Sequence, residues 1–103
     1  MINMKSEVLD SISRADQCIN DIEWIRVTFL DDDYNYTSLI SKLNPTLEDL
    51  DVLDIDYDDG YGTPYLGDSS YVVFRDGSWL ERYEYDGNEH WSYKSTPKWE
   101  DFR

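Results

Sequence analysis

Two Asp-Gly dipeptides constrain the fold of this chain more than any other local feature. Asp76-Gly77 and Asp86-Gly87 each lie between runs of residues that favour β-strands. Asp-Gly between such runs is the strongest short-range signal for a hairpin, because both residues tolerate the backbone angles of a tight turn. The C-terminal part of the chain therefore predicts a three-stranded antiparallel meander. Its predicted strands are Tyr71–Arg75, Ser78–Tyr85 and Asn88–Lys94.

The predicted meander has two apolar faces. A two-residue turn at each Asp-Gly sets the register, and side chains then alternate between the faces along each strand. One face carries Val73, Leu80 and Tyr93, and the other carries Phe74, Trp79 and Tyr83. We expect one face to pack on a helix. The other is either covered by short elements or exposed as an interface, since aromatic residues favour protein contacts. A homodimer is one use of such a face.

The N-terminal region predicts an amphipathic helix over residues 6–22, with Ser6 or Asn3 as its N-cap. Its apolar stripe consists of Val8, Leu9, Ile12, Ala15, Ile19 and Ile22. Cys18 is the only cysteine and lies beside this stripe. We therefore expect a buried structural thiol there and not a nucleophile.

The middle of the chain predicts several short elements. Trp24–Leu30 and Val52–Tyr57 predict strands, because apolar residues alternate with polar ones. Thr37–Leu43 predicts a short helix that ends before Pro45, since the residue before a proline avoids helical geometry. Thr46 is positioned to cap a helical turn.

Together these elements predict the α+β class and a single domain over residues 1–103. An N-terminal amphipathic helix packs on a mainly antiparallel sheet of about five strands, which ends in the three-stranded meander. A loop over residues 58–70 and a helical turn over Thr96–Phe102 complete the prediction.

The chain is strongly acidic, with 23 Asp and Glu residues against 9 Lys and Arg, and a net charge of −14. Residues 31–70 hold most of the excess, because eleven acidic side chains there face Lys42 alone. This charge steers the protein toward basic partners and disfavours direct binding to nucleic acid or to an anionic membrane. No apolar run approaches the roughly 18 residues of a membrane span. With one cysteine and no export signal, we expect a cytoplasmic protein.

Aspartates alternate with apolar residues between Leu53 and Asp59. On a β-strand, Asp54, Asp56 and Asp58 would share one face at intervals of about 6.6 Å, which is comparable to the phosphate spacing along a nucleic-acid strand. Such a run is a solvated edge, a cation site or an imitation of a phosphate backbone.

The cation alternative matches only part of a known loop. The aspartates at positions 54, 56 and 58 follow the opening of an EF-hand. Asp59 then stands where glycine is needed, and Tyr65 stands where a bidentate glutamate is needed. We therefore expect neither a metal nor a cofactor.

Catalysis has little support in the sequence. His90 is the only histidine, and with a nearby glutamate it could form an acid–base pair. On an aromatic strand, however, a histidine is more often a packed or surface residue. No phosphate-binding glycine loop follows a strand and opens a helix. Enzyme activity is therefore not expected.

The acidic segment also contains tyrosines, which offer flat contact area beside charge. A groove built for phosphates and stacked bases would accept this combination. The predicted partner is therefore a basic nucleic-acid-binding protein or a nuclease complex. The predicted contact residues are Asp31, Asp32, Asp33, Tyr34, Tyr36, Asp54, Asp56, Asp58, Asp59 and Tyr61.

In size, charge and lack of a catalytic motif, the chain resembles the small DNA-mimic inhibitors encoded by phages and mobile elements. These include anti-restriction and anti-CRISPR proteins. The resemblance covers composition and the acidic pattern from Asp31 to Asp68, and because that group shares no sequence motif, no residue role carries over. The segment from Asp76 to Gly87 is also similar to small phage proteins. The resemblance implies an inhibitor of a host defence protein in the bacterial cytoplasm.

Two other functions are consistent with the same acidic composition. An immunity or antitoxin protein would neutralise a basic nuclease toxin with the same electrostatics, but at the active site of the toxin. An adaptor or structural protein would use its acidity only for solubility. Competition with nucleic acid separates the inhibitor from the adaptor, and a specific toxin partner identifies the antitoxin.

Overall fold

The computed structural model describes residues 2–57, 66–67, 69–85 and 88–96, and only the backbone of residues 84, 85, 88 and 89. One α-helix, two 3₁₀ helices and seven strands make up this part of the chain. The helix is α1 (Met4–Arg14), and the 3₁₀ helices are Ile19–Asp21 and Glu48–Leu53. The strands are β1 (Ile2–Asn3), β2 (Ile22–Leu30), β3 (Tyr36–Leu43), β4 (Asp56–Tyr57), β5 (Tyr71–Phe74), β6 (Trp79–Tyr85) and β7 (Asn88–Lys94).

The α+β prediction is confirmed. Five strands form an antiparallel sheet in the order β3-β2-β5-β6-β7, and its last three strands are the predicted meander. The two short strands β1 and β4 form a separate antiparallel pair beside it. The helix α1 packs on the sheet through Met4, Val8 and Ile12, which are buried in the same core cluster as the inward side chains of the strands.

The helix begins where the sequence indicates but ends earlier. Asn3 is the N-cap, and its side-chain oxygen accepts the backbone N–H of Ser6 at 3.0 Å. The prediction of helix through residue 22 is wrong, because α1 ends at Arg14 and Asp16 adopts a left-handed φ of 59°. Cys18 lies beyond that turn and is exposed, so the predicted buried thiol is also wrong. Its thiol donates instead to Asp21.

Two of the predicted middle elements differ from the structure. The predicted helix Thr37–Leu43 is strand β3, because the tight turn after β2 lays this segment along its neighbour as a hairpin. The predicted strand Val52–Tyr57 is wrong for its first four residues, because Val52 and Leu53 end a 3₁₀ helix, residues 54 and 55 are irregular, and only Asp56–Tyr57 forms a strand. The number of strands in the main sheet was therefore right, but β3 takes the place of the predicted Val52–Tyr57 strand.

The turn between β5 and β6 has three residues, and this changes which side chains share a face. Phe74 donates its N–H to the carbonyl of Ser78 at 2.9 Å, and Gly77 adopts a φ of 91° between them. Glycine adopts this angle without strain, as a three-residue hairpin requires. A shift of one residue moves side chains to the opposite face. Phe74 therefore shares the core face with Leu80, and Val73 shares the outward face with Trp79, so the predicted grouping of these side chains is wrong.

A buried polar cluster ties the helix to both sheets. Arg82 on β6 has a side chain only 2% exposed, and its Nη1 donates to Glu7 Oε1 at 2.8 Å. Its Nη2 donates to the Tyr57 hydroxyl at 2.7 Å, and that hydroxyl donates to Glu7 at 2.6 Å. The guanidinium also lies 5.5 Å from the ring centre of Trp91. We call Glu7, Tyr57 and Arg82 the Arg82 cluster.

The hydroxyl of Tyr57 is held in its protonated form by this cluster. Burial raises the pKa of Tyr57 far above its usual value, and the hydrogen bond to the Glu7 carboxylate raises the pKa further. Tyr57 therefore remains a donor to Glu7 at alkaline pH values where exposed tyrosines ionise.

We expect Glu7→Gln to lower the free energy of unfolding by about 3 kcal/mol, because it removes the Glu7 counter-charge from a buried guanidinium. Urea denaturation measures the loss. Asp10→Asn is the matched control, since the Asp10–Arg14 pair is exposed and should contribute less than about 1 kcal/mol. Adding Arg82→Met to Glu7→Gln should recover part of the loss. A Glu7→Gln protein as stable as the control would show that the cluster does not hold the helix.

Candidate binding surface at the acidic end

The first group of predicted contact residues lies on the turn between β2 and β3, here called the acidic turn (residues 31–36). The carboxylate of Asp31 accepts the backbone N–H groups of Asp33 and Asn35, both at 2.9 Å. These bonds fix the loop, and Tyr34 adopts a left-handed φ of 61° with its side chain 79% exposed. Asp32 and Asp33 are exposed on the same turn.

The second group consists of Asp54 and Asp56, which meet at the start of α1. Asn3 Nδ2 donates to Asp54 Oδ1 at 2.7 Å and to Asp56 Oδ1 at 3.0 Å. The capping bond to Ser6 occupies the other end of the Asn3 amide, so its orientation is fixed by its partners. One neutral amide therefore holds two carboxylates, which we call the Asn3 pair. The positive end of the helix dipole also favours them there.

A ring contact connects the chain segments that carry the acidic turn and the Asn3 pair. The rings of Phe29 and Tyr57 pack edge to face, with centroids 6.3 Å apart. Phe29 lies two residues before Asp31 in the chain, and Tyr57 directly follows Asp56. We call the acidic turn and the Asn3 pair, whose segments this contact connects, the acidic end.

Cations neutralise a different part of the acidic segment. Lys5 pairs with Asp51 at 2.6 Å, and Lys42 pairs with Asp49 at 2.9 Å. The hydrogen bond from Lys42 is the main reason that the pKa of Asp49 falls to about 2. In contrast, the aspartates of the acidic turn and of the Asn3 pair have no ion-pair partner among the residues that the structure describes.

The structure describes seven of the ten predicted contact residues, and it does not arrange them in the predicted way. Asp54 and Asp56 do not follow each other along a strand face; they converge on one amide. Asp58, Asp59 and Tyr61 lie outside the described residues. Asn3 was predicted only as a helix cap, and nothing in the local sequence links it to aspartates more than 50 residues away.

Other candidate sites have weaker support as binding or catalytic sites. Among residues 2–57, 66–67, 69–85 and 88–96, no group of three His, Cys, Asp or Glu side chains converges as a metal site would require. A groove of about 550 Å³ between α1 and β7 is lined by residues that include Glu7, Arg14 and His90. Glu7 is engaged in the Arg82 cluster, and exposed His90 packs its ring 5.1 Å from that of Tyr83.

Comparison with family models, curated proteins and solved structures finds no match to this chain. Within the described part of the chain, no helix has the length and apolar character needed to cross a membrane.

We expect Asn3→Asp to lower the free energy of unfolding by about 1–2 kcal/mol, because it replaces two donated hydrogen bonds with a third carboxylate. The helix cap itself should survive, since aspartate and asparagine cap equally well. Urea denaturation at low salt measures the loss. Asp54→Asn with Asp56→Asn in the same chain should recover most of it. An unchanged Asn3→Asp protein would mean that the shared amide does not position the pair.

Proposed function

We propose that the protein binds a basic nucleic-acid-binding protein through its acidic end and thereby excludes nucleic acid from that partner. The observation that carries the proposal is how its carboxylates are held. Asp31 is fixed by backbone N–H groups, and Asp54 and Asp56 are fixed by the amide of Asn3. These donors are neutral, so they position the negative charges without cancelling them.

A fixed and uncompensated set of anions is what a phosphate-binding groove accepts. Lys and Arg side chains in such a groove gain affinity when phosphates replace their counterions. Carboxylates held in place before binding also lose less conformational entropy when the complex forms. Tyr34 and Tyr36, both exposed beside these charges, add aromatic area for groups that normally stack on bases.

The partner class follows from charge and from the resemblance to DNA-mimic inhibitors. We place the activity in the bacterial cytoplasm. There, such an inhibitor would block a host defence nuclease complex of the kind that anti-CRISPR and anti-restriction proteins target. The protein then needs neither catalysis nor a cofactor, because occupying the groove is sufficient. A homodimer is compatible with this proposal, since the side of the sheet opposite α1 remains available for it.

We expect the protein not to bind duplex DNA or RNA, because its net charge of −14 repels phosphates. A gel-shift assay at low salt gives nonspecific binding its best chance. A complex at micromolar protein would contradict the proposal directly.

We expect Asp32→Asn, Asp54→Asn and Asp56→Asn together to weaken partner binding by about tenfold or more and to flatten its salt dependence. The asparagine oxygens can still accept hydrogen bonds from Asn3, so the fold should be retained. The partner is captured from a bacterial lysate on immobilised protein, purified, and its affinity measured by calorimetry with and without competing duplex DNA or RNA.

The matched control removes the same number of charges elsewhere, as Asp10→Asn, Asp16→Asn and Glu23→Gln, all exposed positions. This control should bind almost as tightly as the unchanged protein, and nucleic acid should displace the partner from both. If the two triple variants lose the same affinity for the partner, the loss is explained by net charge alone and not by the acidic end. A partner that nucleic acid does not displace would favour an adaptor, and inhibition of a purified nuclease toxin would favour an antitoxin.

A further inference from the structure

The face of the sheet opposite α1 is rich in aromatic residues. Trp24, Tyr71, Val73 and Trp79 line an open depression of about 340 Å³ there. The rings of Trp24 and Tyr71 meet edge to face at 6.1 Å. All four side chains are only partly buried, and α1 packs on the other side of the sheet. We call this surface the outer face.

Strand pairing arranges the outer face in two rows that cross all five strands. The first row reads Leu43, Trp24, Val73, Trp79 and Lys94 from β3 to β7. The second row reads Ser41, Arg26, Tyr71, Glu81 and Ser92 in the same direction. Each row has its middle residue on β5, which is the central strand of the sheet.

The rows are complementary to themselves about β5. Arg26 and Glu81 lie one strand to either side of Tyr71, and Trp24 and Trp79 lie one strand to either side of Val73. A twofold axis along β5, between two stacked sheets, exchanges the two sides. It therefore places Arg26 of each copy over Glu81 of the other, and Trp24 over Trp79. Val73 and Tyr71 each meet their own equivalents near the axis.

We propose that two copies of this chain dimerise through their outer faces about such an axis. Face-to-face sheets pack about 10 Å apart with strand directions within about 30° of each other, so the facing rows remain in register near the axis. Opposite charges meet across the interface and aromatic side chains fill its centre. The arrangement is isologous, as expected for a homodimer that closes without forming filaments.

The size of the face indicates how tight the dimer is. Strands about 4.8 Å apart and about seven residues long cover roughly 20 by 23 Å, and the accessible area is larger because side chains stand out from the sheet. A standard interface buries about 800 Å² on each partner. The outer face is near the lower end of interface sizes, and we expect a weak dimer with a dissociation constant in the micromolar range.

The dependence on salt concentration distinguishes dimerisation from the proposed partner interaction. Each copy carries a charge of −14, so two copies repel at low salt, and screening should strengthen dimerisation. Binding of a basic partner at the acidic end should instead weaken with salt. Either interaction can therefore fail in experiment without the other.

Sedimentation equilibrium of the full chain at about 1–200 µM protein, in 50 and 500 mM NaCl, tests the proposal. We expect a monomer–dimer equilibrium that is tighter at the higher salt. Arg26→Glu or Glu81→Arg alone should weaken dimerisation by about tenfold or more, because like charges then meet twice in each dimer. The two changes together should restore it to within about threefold. Circular dichroism checks that each variant is folded.

The Glu81→Arg variant is the most decisive test. It reduces the net negative charge and would therefore strengthen nonspecific association, whereas the proposed dimer should weaken. Val73→Lys places two ammonium groups at the axis and should also give a monomer. Asp32→Asn with Asp33→Asn, at the acidic end, should leave the dimer intact. A protein that is monomeric at 200 µM and high salt would overturn the proposal. So would folded charge variants in which the double exchange fails to restore dimerisation.

Discussion

The Arg82 cluster is the interaction on which the rest of the architecture depends. A guanidinium held under the helix can be stable only with a counter-charge and hydrogen-bond acceptors, and Glu7 and Tyr57 supply both. Glu7 belongs to α1, Tyr57 to the small β1–β4 pair and Arg82 to the main sheet. One buried charge therefore sets the position of three elements that share little continuous backbone pairing.

The acidic end and the outer face differ in their chemical character. Aspartates that form no ion pair among the described residues are oriented by Asn3 and by the backbone of the acidic turn. The outer face instead combines aromatic rings with Arg26 and Glu81 in one row. A chain this acidic gains solubility from its charge but also repels itself, so an interface of low net charge is where contact between copies costs least.

Local patterns predicted the fold class, the meander and a helix cap at either Ser6 or Asn3, because each depends on neighbouring residues. They failed for Thr37–Leu43, whose apolar spacing fits a helix, since pairing with β2 overrides local preference. They also failed at the turn before Ser78, where one extra residue changes which side chains of β5 share a face with those of β6. The acidic residues were identifiable from composition. Their convergence on Asn3 was not, because it depends on contacts distant in the chain.

The link between Asn3 and Asp56 joins residues 53 positions apart, and that between Glu7 and Arg82 joins residues 75 apart. Closing loops of this length costs entropy before any contact repays it, so such contacts form late in folding. The paired carboxylates thus exist as a fixed shape only after the N-terminal segment with Asn3 has docked beside Asp54 and Asp56. A growing chain on the ribosome carries the same charges but does not yet present them in that shape.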